Sequence, residues 1–150
     1  MKSCGVTLNK NHFLVICYQP TKAGGHFGTD PMIKIDREVA TPANLGEAVV
    51  KILEAPERIL PVPIDFKAAS EALLKFEGFK SQRESAKATV FPCDVAATSA
   101  DKLTITPYPI KEKGGFLPDT DKRVICEYSA DSVGKALFQI FGLTHNENQN

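Results

Sequence analysis

An internal echo constrains this chain more than any other feature. At a constant offset of 89 positions, and without a gap, residues 4–36 lie on residues 93–125. Cys4 falls on Cys93, Val6 on Val95, Leu14 on Leu103, Ile16 on Ile105, Gly25 on Gly114, Phe27 on Phe116 and Asp30 on Asp119, among nine identities. One residue is then lost, and Thr41 falls on Ser129, Gly46 on Gly134, Ala48 on Ala136 and Ile52 on Ile140. A repeat of this kind means one supersecondary unit used twice. Each copy reads strand, strand, glycine-containing loop, strand, helix, over about 4–55 and 93–142.

Local chemistry supports that order. Asn9-Lys10-Asn11 separates two apolar runs and suits a tight turn, because Asn bonds its own backbone. Thr98–Asp101 does the same between Thr89–Val95 and Leu103–Thr106. Third strands are expected at Met32–Asp36 and Arg123–Tyr128. Leu45, Ala48, Val49, Ile52 and Leu53 make one helical stripe, and Val133, Ala136, Leu137, Ile140 and Phe141 repeat it. Thr41, followed by Pro42, and Ser129 are the expected N-caps. Between the copies, residues 56–80 hold Pro56, Pro61 and Pro63, then a third helix capped by Asp65 and stopped by Gly78. The expectation is an α+β fold: about six mainly antiparallel strands with three helices packed on one face. It forms a single domain over 1–143 with a polar tail at 144–150.

With 43% apolar and 24% charged residues in 150, the chain can bury a core without metal or disulfide staples. Eighteen basic residues against eighteen acidic give no global field toward nucleic acid or anionic lipid. No run of apolar residues approaches a membrane span. Met1–Gly5 leads straight into a strand pattern with no secretory core, so the expected compartment is the cytoplasm. Cys4, Cys17, Cys93 and Cys126 lack metal spacing and read as free thiols buried in strands.

Catalytic signatures are absent. Gly24-Gly25-His26-Phe27-Gly28 is glycine-rich but leads into a strand, where a phosphate cradle needs a helix N-terminus. It reads as a loop with a Phe tucked onto the core. Ser132-Val133-Gly134-Lys135 matches S-x-x-K without its companion motifs. His12, His26 and His145 have no partner that sequence reveals, and surface histidine is the expectation for His26. Asp30, Asp36 and Glu38 cluster near one third strand, Asp119 and Asp121 near the other. Such carboxylates suit turns, or cations on another protein. No catalytic residue, metal site or cofactor is assigned. Gly24, Gly25, His26, Lys113 and Gly114 are candidate recognition-loop residues. A small enzyme or binding domain for a phosphorylated ligand, using these loops and carboxylates, is the alternative. It would need an enclosed pocket where His26 or Asp30 meets Asp119. A homodimer through sheet edges also stays open.

Gly78-Phe79-Lys80-Ser81, Ile105-Thr106-Pro107, Gly114-Gly115-Phe116 and Ser129-Ala130-Asp131-Ser132-Val133-Gly134-Lys135-Ala136-Leu137 resemble, in order and spacing, the CdiI-type immunity proteins of bacterial contact-dependent growth inhibition. The likeness is clearest over about 65–143. Gln82-Arg83 departs from it, standing where an aromatic residue often follows the Lys-Ser pair. The resemblance implies a non-enzymatic cytoplasmic protein that binds a cognate toxin domain, often a nuclease, and blocks it, with no direct contact to nucleic acid or membrane. Asp30, Asp36, Glu38, Asp119 and Asp121 are then the expected toxin-facing carboxylates.

Overall fold

The computed structural model describes residues 2–113 and 115–143. The expected tail, His145 and Gly114 lie outside the described residues. β1 (Ser3–Asn9), β2 (His12–Pro20), β3 (His26–Asp36), β4 (Thr89–Ala97), β5 (Lys102–Pro107) and β8 (Val124–Glu127) form one antiparallel sheet in the order β3-β2-β1-β4-β5-β8. Four helices accompany it: α1 (Pro42–Leu53), α2 (Phe66–Glu77), α3 (Gln82–Ala88) and α4 (Ala130–Ile140). A small hairpin of β6 (Ile110–Glu112) and β7 (Gly115–Leu117) and a 3-10 turn, Thr120–Lys122, interrupt the path from β5 to β8.

The strand period of two sorts side chains between faces. Cys4, Val6 and Leu8 of β1, Phe13, Val15 and Cys17 of β2, Cys93 and Val95 of β4, and Leu103 and Ile105 of β5 all point to one buried face. Leu45, Val49, Ile52 and Leu53 of α1 and Val133, Leu137 and Phe138 of α4 cover it. Phe13 stacks on Phe138 and meets Phe141 edge-on, with centroids 6.0 and 5.7 Å apart. Each large side chain so buried contributes roughly 1.5–3 kcal/mol. All four cysteines are free, and three are buried.

The caps form as the sequence implies. Thr41 Oγ1 accepts from Asn44 N and the Asn44 side chain returns a bond to Thr41 N. Ser129 Oγ accepts from Ser132 N, and Asp65 caps α2, which ends on Gly78 at φ 82°. The β1–β2 turn closes because Asn9 Oδ1 accepts from the amides of Asn11 and His12, both at 2.8 Å.

The two halves are related as whole elements, three strands and a helix each, about an axis between β1 and β4. The ungapped residue match holds between β1 and β4 and fails in the strands beyond them. Leu8 pairs with Phe13 in one half, whereas Ala97 pairs with Leu103 in the other. Phe13 therefore corresponds to Leu103, an offset of 90, and Ile35, opposite Phe13, corresponds to Cys126, an offset of 91. Leu14 and Leu103, identical in the alignment, sit on opposite faces: a one-residue difference in loop length flips every side chain.

Two further expectations are corrected. There are four helices, and they cover both faces, since α2 lies over the side opposite α1 and α4. α3 carries no apolar stripe to announce it and is held by its Ser81 cap. His26, Phe27 and Gly28 belong to β3, not to a loop, and Phe27 packs on Phe66 of α2 (5.5 Å) outside the core.

Candidate functional site

The side of the sheet opposite α1 and α4 carries the features that packing alone does not explain. α2 stands over β2 and β3 with none of its residues buried. Its C-terminal end is latched: His12 Nε2 lies 3.0 Å from Glu77 Oε1, Lys34 Nζ donates to the Phe76 carbonyl (3.2 Å), and Phe79 packs on the His12 ring. His12 is thus 4% exposed and bonded, a role its sequence context did not reveal. At the other end Phe66 meets Phe27, and the Gln82 amide bonds the Ser70 hydroxyl. Between helix and sheet lies a cavity of about 620 Å³ walled mostly by carbon, from Ile16, Tyr18, Phe27, Met32, Phe66 and Leu73.

Tyr18 lines both this cavity and a second groove of about 390 Å³. Asp94, on β4 directly opposite Gly5, forms its floor. The Tyr18 hydroxyl donates to Asp94 Oδ1 (2.8 Å) and the Tyr108 hydroxyl to Oδ2 (2.7 Å). Tyr18 reaches Asp94 by crossing β1, and only a glycine lets it pass: a Cβ at Gly5 would lie 2.5 Å from the Tyr18 hydroxyl oxygen. Burial, then the Asp94 charge and hydrogen bond, raise the Tyr18 phenol. The Asp94 hydrogen bond, reinforced by burial, pushes Tyr108 up to about 12. Both phenols therefore keep their protons on Asp94. Arg123 Nε donates to Thr106 Oγ1 (3.1 Å) at the groove wall, with His26 and Thr120 at its rim.

The structure disperses the residues singled out from sequence. Asp30 accepts from Thr29 Oγ1 (2.9 Å) and Arg58 Nη2 (2.6 Å), which hold its carboxyl below the ordinary range against a small cost of burial. Asp36 ends β3 and Glu38 lies in the exposed turn after it. Asp119 and Asp121 precede β8 at the opposite edge of the sheet, Asp119 being 4.0 Å from Lys122. The five carboxylates thus form two groups, not one. Gly24 and Gly25, at φ 90° and 73°, close a tight turn in which Gly24 N donates to the Thr21 carbonyl, so that amide is spent within the turn. Lys113 is exposed at the tip of the β6–β7 hairpin. His26 lines the groove beside Asp94, Asp30 the cavity under α2 and Asp119 neither. Among the described residues no group of three or more His, Cys, Asp or Glu could hold a metal ion, and no helix is long and apolar enough to cross a membrane.

Sequence reasoning passed over Asp94, Tyr18, Tyr108 and Gly5. The available signal was an acid inside an otherwise apolar strand, where Asp is depleted.

Neither any known protein family nor any curated protein matches the sequence. Solved structures share the fold. A protein of unknown function, NMB0488, from Neisseria meningitidis superimposes with a TM-score of 0.71 at 14% identity, over 91% of this chain and 90% of that one. A chain of a CdiA-CT/CdiI toxin and immunity complex from Yersinia pseudotuberculosis superimposes with a TM-score of 0.65 at 19% identity, over 91% and 92%. This chain therefore has an α+β fold that occurs within a toxin–immunity complex.

Proposed function

We propose that the chain is an immunity protein of a contact-dependent growth inhibition system: it binds one cognate toxin domain in the cytoplasm and neutralises it, without catalysis of its own. The carrying observation is the fold likeness to a chain of a CdiA-CT/CdiI complex, which runs over more than nine-tenths of both chains. The chemistry is compatible with it. The outer sheet face offers a concave apolar patch beside a groove that holds a few polar groups, the combination from which stable protein interfaces are built. A nuclease toxin carries a basic cleft for its substrate. Asp36, Glu38 and Asp121 are exposed and make no ion pair among the described residues, so they are free to meet it.

Co-expression with the toxin domain encoded beside this chain tests the reading. The expected result is restored growth and a stable complex on gel filtration. Charge reversal at Asp36 and Glu38, or separately at Asp119 and Asp121, lowers affinity in a salt-dependent way while leaving the urea midpoint unchanged. Growth arrest unaffected by the intact protein refutes the function; unchanged affinity in both reversed variants refutes the assignment of the carboxylates.

A further inference from the structure

Asp94 is an anomaly that the fold does not require. It is a half-buried carboxylate in mid-sheet, and no Lys, Arg or His of the described residues lies within ion-pair distance of it. Burying charge without a cation is costly, and two phenols offset only part of that cost. Each Asp94 oxygen accepts one phenolic hydrogen and keeps a further lone pair. Because both phenols spend their hydrogens on Asp94, their own oxygens present only lone pairs. The groove floor is therefore all acceptor, flanked by two aromatic rings. That is the chemistry that receives a guanidinium or ammonium group, by charge-assisted hydrogen bonds and by cation–π contact.

The groove is open to solvent and its volume of about 390 Å³ falls in the range of ligand-sized pockets. Its own cations do not fill it. Arg123 is exposed and turned onto Thr106, and His26 lies at the rim. Gly5 is part of the construction, since any side chain there displaces Tyr18 from Asp94.

We propose that Tyr18, Asp94 and Tyr108 form a receptor for one cationic side chain, an arginine or lysine, of the protein that docks on this face. The inference deepens the function proposed above and names the chemistry of the partner at one point of contact. Charge complementarity selects this occupant, because Asp94 and the two phenols offer acceptors and a negative charge, while Arg123, the cation on the groove wall, donates to Thr106 and not to Asp94.

The test uses the purified chain and N-acetyl-arginine amide, with the neutral isostere N-acetyl-citrulline amide as control, followed by NMR at the Tyr18 and Tyr108 rings and the Gly5 amide. The arginine probe is expected to shift these signals saturably in the millimolar range, and citrulline to bind about ten-fold more weakly or not at all. Asp94→Asn, which removes the charge and keeps one carbonyl oxygen as an acceptor, is expected to abolish the difference. Tyr108→Phe, which leaves the charge in place, is expected to retain it. Equal response to arginine and citrulline in the unmodified chain overturns the proposal without recourse to any variant. So does a saturable shift confined to residues away from the groove. Toxin protection with no arginine response leaves the immunity reading standing and removes this receptor; an arginine response with no toxin protection does the reverse.

Discussion

α1 and α4 meet backbone to backbone, and a single methyl group tests how much that contact matters. A Cβ at Gly46 would run into the carbonyl oxygen of Ala130 and lie 2.6 Å from its carbon, and one at Gly134 would run into the carbonyl oxygen of Pro42 and lie 2.7 Å from its carbon. Both obstacles are backbone atoms in the first turn of the opposing helix, so no rotamer change relieves them. Ordinary carbon contacts are about 3.5–4.0 Å, so the helices must separate by at least about 1 Å. A gap of that size forfeits a quarter to a half of the dispersion energy of the side chains spanning it. Leu45 and Val49 on one side and Val133 and Leu137 on the other, all fully buried, are the ones affected. Overpacking of this kind costs about 3 kcal/mol. Helix propensity acts the other way, since Gly→Ala in a helix interior gains about 1 kcal/mol. The contact wins, and Gly46→Ala is expected to destabilise by about 2 kcal/mol, lowering the urea midpoint by about 1 M at unchanged slope. Gly134→Ala behaves alike. The double variant costs less than the sum, because helices already apart accommodate the second methyl. Glu47→Ala, exposed on the same helix, stays within about 0.5 kcal/mol. A Gly46→Ala protein as stable as the parent, or more so, refutes the close-crossing argument.

Three other outcomes follow from particular contacts. Thr41→Ala and Ser129→Ala each remove a side-chain cap and cost about 1 kcal/mol, read as urea midpoints, with the two losses adding. Tyr108, unfolded, titrates near 10 and in the fold at about 12. A raised phenol stabilises fully below the unfolded value and loses that contribution as pH climbs through the folded one. Stability therefore falls between about pH 10 and 12, and Tyr108→Phe makes that fall smaller. Gly5→Ala drives the Tyr18 hydroxyl off Asp94 and costs about 1–3 kcal/mol; Tyr18→Phe in that background recovers part of the loss, because the colliding oxygen is gone.

Much of the fold was legible where two physical signals coincide. α1 and α4 have an apolar stripe and a capping hydroxyl, and the structure places their caps at Thr41 and Ser129 as expected. α2 was legible from Asp65 and Gly78. α3 was not, since Gln82–Ala88 offers a cap but no apolar face, and the β6–β7 hairpin was not, since three-residue strands carry too few alternations to register. The repeat was legible as an order of elements but misleading as a register. Strands rich in Val, Ile and Leu yield identities readily, and a slip of one residue costs an alignment nothing while it turns a strand over. The candidate site was hidden for a related reason. Tyr18, Asp94 and Tyr108 come from β2, β4 and the residue after β5, and no spacing joins them before the sheet assembles.

The pairing at the centre of the sheet shows why the two halves cannot be alike on that outer face. Gly5 and Asp94 stand directly opposite one another, and they are the positions that the symmetry relating β1 to β4 exchanges. On the buried face the corresponding residues are Cys4 with Cys93 and Val6 with Val95, identical because both copies fill the same core. Were both residues acidic, two carboxylates would face each other across adjacent strands, a destabilising arrangement, and Tyr18 of β2 could not cross. Two glycines would leave the phenol without an acceptor. Only one acid and one glycine give a single charge, a path for Tyr18 and room for a visiting group. At the centre of the sheet the asymmetry therefore lies on the outer face, at a pair of positions where a symmetric choice of residues would exclude the site.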